Sequence, residues 1–203
     1  MKNNYILITG GAGYIGSTVA NYLLKRKYKI LILDNLSSGK KSFINKKSKF
    51  IKVDLLNYTS LNKKIFKYKI SHIIHLASNI DVTESEKYPK KYLIDNVKMT
   101  KNILKFAIKY KIKNFIFSST AAVYGKSNKT KVNEKDQLKP ISNYGLGKLI
   151  CENLIIDECK NNNIKYTILR YFNVVGADIF NKTGPLKKGS LFKNLSENLE
   201  KNK

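Results

Sequence analysis

"ILITGGAGYIGSTVA", residues 6–20, is the stretch from which the rest of the chain is read. An apolar run passes directly into a glycine cluster, and a segment with helical spacing follows over 14–26. Gly11, Gly13 and Gly16 stand in G-x-G-x-x-G spacing, and Gly10, Gly13 and Gly16 in G-x-x-G-x-x-G spacing. Without a Cβ the chain turns tightly, its backbone can approach a pyrophosphate, and a helix packs close on a strand. A helix starting there turns free N–H groups and a positive dipole end toward phosphate. Tight turns use glycine as well, so the trio acquires meaning only from its surroundings.

The next apolar run, KILIL (29–33), leads into Asp34, eighteen residues after Gly16. An acid at that point accepts hydrogen bonds from adenosine ribose hydroxyls and repels a 2′-phosphate, which favours NAD over NADP. The competing reading of Asp34 is a helix cap or loop residue. Glycines, strand and acid in register favour the cofactor.

Short β-branched runs recur at 5–9, 29–33, 50–54, 72–77, 114–119 and 166–171. Helical spacing occupies 14–26, 60–68, 91–110 and 143–160. Strand and helix alternating in this way predict an α/β fold, a Rossmann-type doubly wound parallel sheet.

Composition narrows the function classes. At 203 residues and 42% hydrophobic, the chain can build one substantial core. No apolar run approaches the ~18 residues of a membrane helix, and no signal-peptide pattern opens the sequence, so a cytoplasmic protein without a membrane partner is expected. The net charge of +25 invites a nucleic-acid reading. Only Arg26 and Arg170 among 39 basic residues are arginine, however, and the lysines are scattered over every segment. Solvated faces, not a nucleic-acid groove, are the better account. Cys151 and Cys159, eight apart in one predicted helix, make neither a disulfide framework nor a metal box. His72 and His75 are assigned to packing.

The fifth strand runs into SSTAAVYG (118–125), and YGLGK (144–148) follows. Tyr144 and Lys148 are four apart and share one helix face. An ammonium near a phenol lowers its pKa toward that of a general base, and the Thr120 hydroxyl could bond the same substrate oxygen. Such a trio suits removal of a hydroxyl proton while hydride leaves the carbon. The alternative is a surface Tyr–Lys pair.

TGGAGYIGS (9–17), LDNLS (33–37), NFIFSSTAAVYG (114–125), YGLGK and LRYFNVVGAD (169–178) together resemble the extended short-chain dehydrogenase/reductase family, in its nucleotide-sugar 4-epimerase branch. The likeness spans residues 4–178 in order. It implies an NAD-binding domain over 1–178, with 179–203 only the beginning of a smaller, truncated C-terminal substrate-binding region. It also implies NAD-dependent inversion at C4 of a UDP-hexose through a transient 4-keto sugar, with a UDP-sugar as substrate and no metal. A truncated, non-catalytic module that merely binds NAD or nucleotide sugar is the alternative.

Carried over position by position, the resemblance puts Tyr14 and Ile15 at the pyrophosphate and Asp34 and Asn35 at the adenosine ribose. Asp54 and Leu55 would sit by the adenine, and Leu76, Ala77 and Asn96 along the cofactor groove. Phe172 would lie by the nicotinamide, and Asn173 would hold substrate phosphates. Thr120, Tyr144 and Lys148 would be catalytic, with Thr120 and Tyr144 touching substrate and Tyr144 and Lys148 also touching cofactor. A homodimer paired through helices such as 91–110 and 143–160 is compatible with it.

Relatives that eliminate or decarboxylate carry acid–base residues just after the hydroxyl residue, where this chain has Ala121 and Ala122, so inversion is preferred. Three departures stand out. Ser78 and Ile80 replace a common Gly and Lys. Gly147 replaces a small hydroxyl residue, at a helix cost of about 1 kcal/mol relative to alanine. About the last third of a family chain is expected to be missing.

Overall fold

The computed structural model describes residues 4–127, 130–178, 183–185, 194–195 and 198–199. Most of the expected beginning of a substrate-binding region, 179–203, lies outside the described residues.

Among the described residues six strands are interspersed with helices: β1 (Tyr5–Thr9), α1 (Tyr14–Lys25), β2 (Lys29–Asp34), β3 (Lys49–Lys52), α2 (Tyr58–Ile65), β4 (Ile70–His75), α3 (Val82–Lys87), α4 (Asn96–Lys109), β5 (Asn114–Thr120), α5 (Asn143–Asn161) and β6 (Lys165–Tyr171). The strands form one parallel sheet in the order β3-β2-β1-β4-β5-β6. The strand order therefore reverses between β1 and β4, and ligands of such sheets bind at the carboxyl ends around that point.

Continuous apolar runs suit strands covered on both faces. Leu7, Ile8 and Ile30 to Leu33 are all at most 1% exposed. Side-chain alternation divides them between two cores. Ile6, Ile8, Ile30 and Ile32 pack with Ala20 and the apolar stripe of α1 on one face. Leu7, Leu31, Leu33, Ile73, Phe115 and Phe117 meet α2, α4 and α5 on the other.

One element differs from the sequence reading: the expected helix 91–110 begins as a π-turn over Lys91–Asp95 before α4 proper. The π-turn brings the Tyr92 carbonyl against α5, where a Cβ on Gly147 would lie 2.8 Å from that oxygen. The glycine inside α5 thus permits a close helix approach that outweighs its propensity cost. Among the described residues, no helix is long and apolar enough to cross a membrane, and no group of three metal-ligating side chains converges.

Candidate active site

The glycine turn leaves β1 with Gly10 at φ +70°, a conformation L side chains rarely adopt. A Cβ on Gly16 would lie 2.3 Å from the Gly10 carbonyl oxygen, so strand end and helix start touch through backbone alone. Gly13 caps α1 without a side-chain bond, and no acid occupies the first turn. The first N–H groups of α1 therefore face an anion site with nothing negative in the way. Asp34, at the end of β2, accepts from the backbone N–H of Ala12 (3.0 Å) and of Leu36 (2.8 Å). Its carboxylate both braces the turn and retains lone pairs for a ligand.

A groove of about 300 Å³ runs from this turn, across the carboxyl ends of the central strands, to the end of β5. Gly10, Gly13, Tyr14, Ile15 and Gly16 line its first part, with Asp34 and Asn35 beside them. Leu55, Leu76 and Ala77 line its middle. Thr120, Tyr144, Lys148 and Phe172 line its far end. One continuous groove thus collects fourteen of the expected residues from seven separate segments.

Three expected residues stand outside it. Asp54 is exposed and accepts from its own loop at Leu56 N (2.9 Å), while its neighbours Val53 and Leu55 line the groove. Asn96 is buried beneath the rim, bonded both ways to the backbone of Asn79 (2.8 and 3.1 Å). Asn173 is exposed just past β6.

Other lining residues were not singled out by sequence. Ser37, Ser38 and Gly39 fold over the glycine turn, with Lys40 N donating to the Ala12 carbonyl at 2.9 Å. The serine–glycine cluster directly after the acid was the available signal.

At the far end, three successive residues of β5 each hold one residue of α5. The Thr120 hydroxyl bonds the Tyr144 phenol. The Ser118 carbonyl accepts from Lys148 Nζ at 2.8 Å. The Ser119 hydroxyl donates to the Glu152 carboxylate. Residues 144, 148 and 152 are successive turns of one helix face, so strand and helix are keyed together over two turns. Ser85 of α3 supports the arrangement by accepting from Tyr144 N (3.2 Å), and the Tyr92 ring stands edge-on to that of Tyr144 at 6.5 Å.

Burial pushes the Tyr144 phenol above its ordinary value, against the downward pull of the Thr120 bond. This corrects the expectation that Lys148 lowers it: Nζ lies 5.9 Å from the phenol ring centre and is committed to the Ser118 carbonyl. Lys148 is itself lowered to about 8 by burial.

Both histidines lie on β4. His75 is wholly buried, between Thr9 Oγ1 (2.7 Å) and Thr100 Oγ1 (3.2 Å), and burial, then the Lys148 charge, lowers it to about 3. It is a neutral packing residue that ties β1 and β4 to α4.

Residues 6–203 match the NAD dependent epimerase/dehydratase family. The UDP-glucose 4-epimerase of Rhizobium meliloti is 38% identical over 184 residues, covering 91% of this chain and 56% of that protein. UDP-arabinose 4-epimerase 1 of Arabidopsis thaliana is 34% identical over 196 residues, covering 92% and 47%. The crystal structure of UDP-glucose 4-epimerase from Brucella ovis in complex with NAD superposes with a TM-score of 0.85 at 36% identity, covering 90% of this chain and 56% of that one. The chain spans about half the length of the curated relatives it matches.

Proposed function

The chain belongs to the NAD dependent epimerase/dehydratase family, and on that premise we propose that it carries the cofactor and proton-transfer half of a UDP-sugar 4-epimerase, acting on a UDP-hexose such as UDP-glucose or UDP-galactose. The observation that carries this reading is one groove with the glycine turn at one end and Thr120, Tyr144 and Lys148 at the other. Both ends fit a dinucleotide: an uncapped helix start for the pyrophosphate, Asp34 for a ribose without 2′-phosphate, and apolar walls from Leu55, Leu76 and Ala77 between them.

NAD, when bound, supplies the acceptor and later the donor of the hydride at C4, so none is consumed. Tyr144 takes the proton from the sugar 4-hydroxyl and returns one to the opposite face after the sugar turns. Thr120 holds the same oxygen and stabilises the phenolate by hydrogen bonding. Lys148 supplies positive charge in a buried setting, where charge acts more strongly than in water. Asn173 would reach the substrate phosphates from the segment after β6, and residues 179–203 would begin the region that encloses the sugar. Leu146 and Ile150, one turn apart on α5, are exposed apolar side chains and offer a face for pairing with a second copy.

The test is conversion of UDP-galactose to UDP-glucose by the chain with NAD supplied, beside Tyr144→Phe. Conversion that falls about 1,000-fold in the variant supports the reading. NAD binding without any conversion would favour the non-catalytic binding module instead.

A further inference from the structure

Behind the reactive trio lies a buried ionic cluster that the mechanism above does not use. Glu152 is 1% exposed and sits one turn beyond Lys148, which is 2% exposed, on the same face of α5. Its carboxylate accepts the Ser119 hydroxyl and a forked pair of bonds from Arg170 of β6, with Nη2 at 2.8 Å and Nε at 3.1 Å. Arg170 also donates to the Tyr124 hydroxyl (3.0 Å) and the Glu134 carbonyl (3.3 Å). Three formal charges thus share one interior: two cations with a single carboxylate beside them.

We propose that Glu152 is a positioning residue for the reaction, the fixed counter-charge that keeps Lys148 an ammonium while locking α5 in register on β5. The inference rests on the epimerase reading for its role in turnover, but its physical content belongs to the chain alone.

Among the described residues, Cys151 and Glu152 are the acidic groups whose charge acts on Lys148, and of the two only Glu152 is a carboxylate. From β4, His75 is neutral because burial holds it far below its ordinary value. From β5 come the Ser118 carbonyl and the Phe117 ring, whose centre is 4.9 Å from Nζ. On α5 itself, burial pushes up both the Tyr144 phenol and the Cys151 thiol, which disfavours their anions in the chain without ligand. Thr100 of α4 bears no charge. Arg170 cannot give up its proton. If Glu152 loses its charge, the buried Lys148 and the half-buried Arg170 remain as cations with no carboxylate among the described residues between them, and lysine is the one that can yield.

This predicts opposite responses to two substitutions. Glu152→Gln keeps the shape and the Ser119 contact but removes the anion, so Lys148 should titrate at least one pH unit lower than in the wild type. Arg170→Gln removes the competing cation and leaves the carboxylate to Lys148, so the titration should move up. Ser119→Ala, which changes no charge, should leave it in place. The readout is the 13Cε signal of Lys148 in the lysine-labelled full chain, assigned by its loss in Lys148→Met and followed against pH without substrate. It needs no turnover, so an inactive chain can still show the shifts, and an active one can fail to.

Shifts in opposite directions establish the counter-charge role. Shifts in the same direction, or none, would overturn it and reduce the cluster to packing. Should Glu152→Gln not fold, an unmoved or lowered titration in Arg170→Gln overturns the proposal by itself.

Discussion

At the glycine end of the groove the contacts are made by backbone: the Gly10 carbonyl against Gly16, the Ala12 amide on Asp34, the free amides of α1. At the hydroxyl end they are made by side chains from three elements, the buried Lys148 and Glu152 and the half-buried Thr120, Tyr144 and Arg170. The first end recognises a ligand by shape and dipole, and little there titrates. The second holds ionisable groups out of water, where each depends on its neighbours. Binding and chemistry are thereby separated along one groove: an error of shape should damage the first, and an error of charge or hydroxyl the second.

The largest effect should come from placing an atom at the backbone end. In Gly16→Ala the new Cβ meets the Gly10 carbonyl at 2.3 Å, with no flexible neighbour to move aside. NAD affinity, measured by calorimetry, should fall about 100-fold, on the order of 3 kcal/mol. Retained affinity would break the contrast, because the backbone end would then be adaptable.

Thr120→Val should do the reverse. It removes one hydroxyl from the side-chain end, and turnover of UDP-galactose should drop about 100-fold with NAD affinity held within about threefold. A loss of affinity as large as the loss of turnover would show that the two ends are not separable.

His75 joins the halves, and its titration should be visible in stability. The folded chain holds His75 neutral down to about pH 3, whereas the unfolded chain takes a proton near 6.5. Stability from this group is therefore complete above pH 6.5 and is lost as pH falls toward 3, at up to roughly 1.4 kcal/mol per pH unit. Urea unfolding across that range checks the slope, which His75→Gln should reduce.

The smallest change is expected at Tyr58 on α2, away from both ends. Its hydroxyl is buried without a hydrogen-bond partner. Tyr58→Phe should be neutral or stabilising by about 0.5–1 kcal/mol in the same measurement.

The contrast also explains what could be read from sequence. The glycine turn and Asp34 follow local backbone rules, so residues 10–35 were legible in order, down to the strand that precedes them and the acid that closes the motif. The alternation of apolar runs likewise prescribed the sheet, because strands covered on both faces must be apolar throughout. Tyr144 and Lys148 were legible through one helical turn. Their electrostatics were not, because the Lys148 contact runs to a backbone carbonyl thirty residues away, and spacing cannot report the burial that raises the phenol. Glu152 could have been noticed one turn further on; its partner Arg170 could not, since only the β5–β6 pairing brings them together. Asn96 and Asp54 show what motif spacing leaves out: Asn96 shapes the rim from beneath, and one oxygen of the Asp54 carboxylate accepts from its own turn.

The three keyed contacts between β5 and α5 have a consequence for how the chain between them can vary. Because Ser118, Ser119 and Thr120 fix the helix by direct contact, the connection from Gly125 to Ser142 does not have to measure out the distance. Lengthening a connection costs little beyond closure entropy, about 0.6 kcal/mol for each doubling. The reactive trio is insulated from insertion and deletion in the very segment that separates Thr120 from Tyr144 along the sequence, and that segment is a place where new peptide could be grafted without resetting the chemistry.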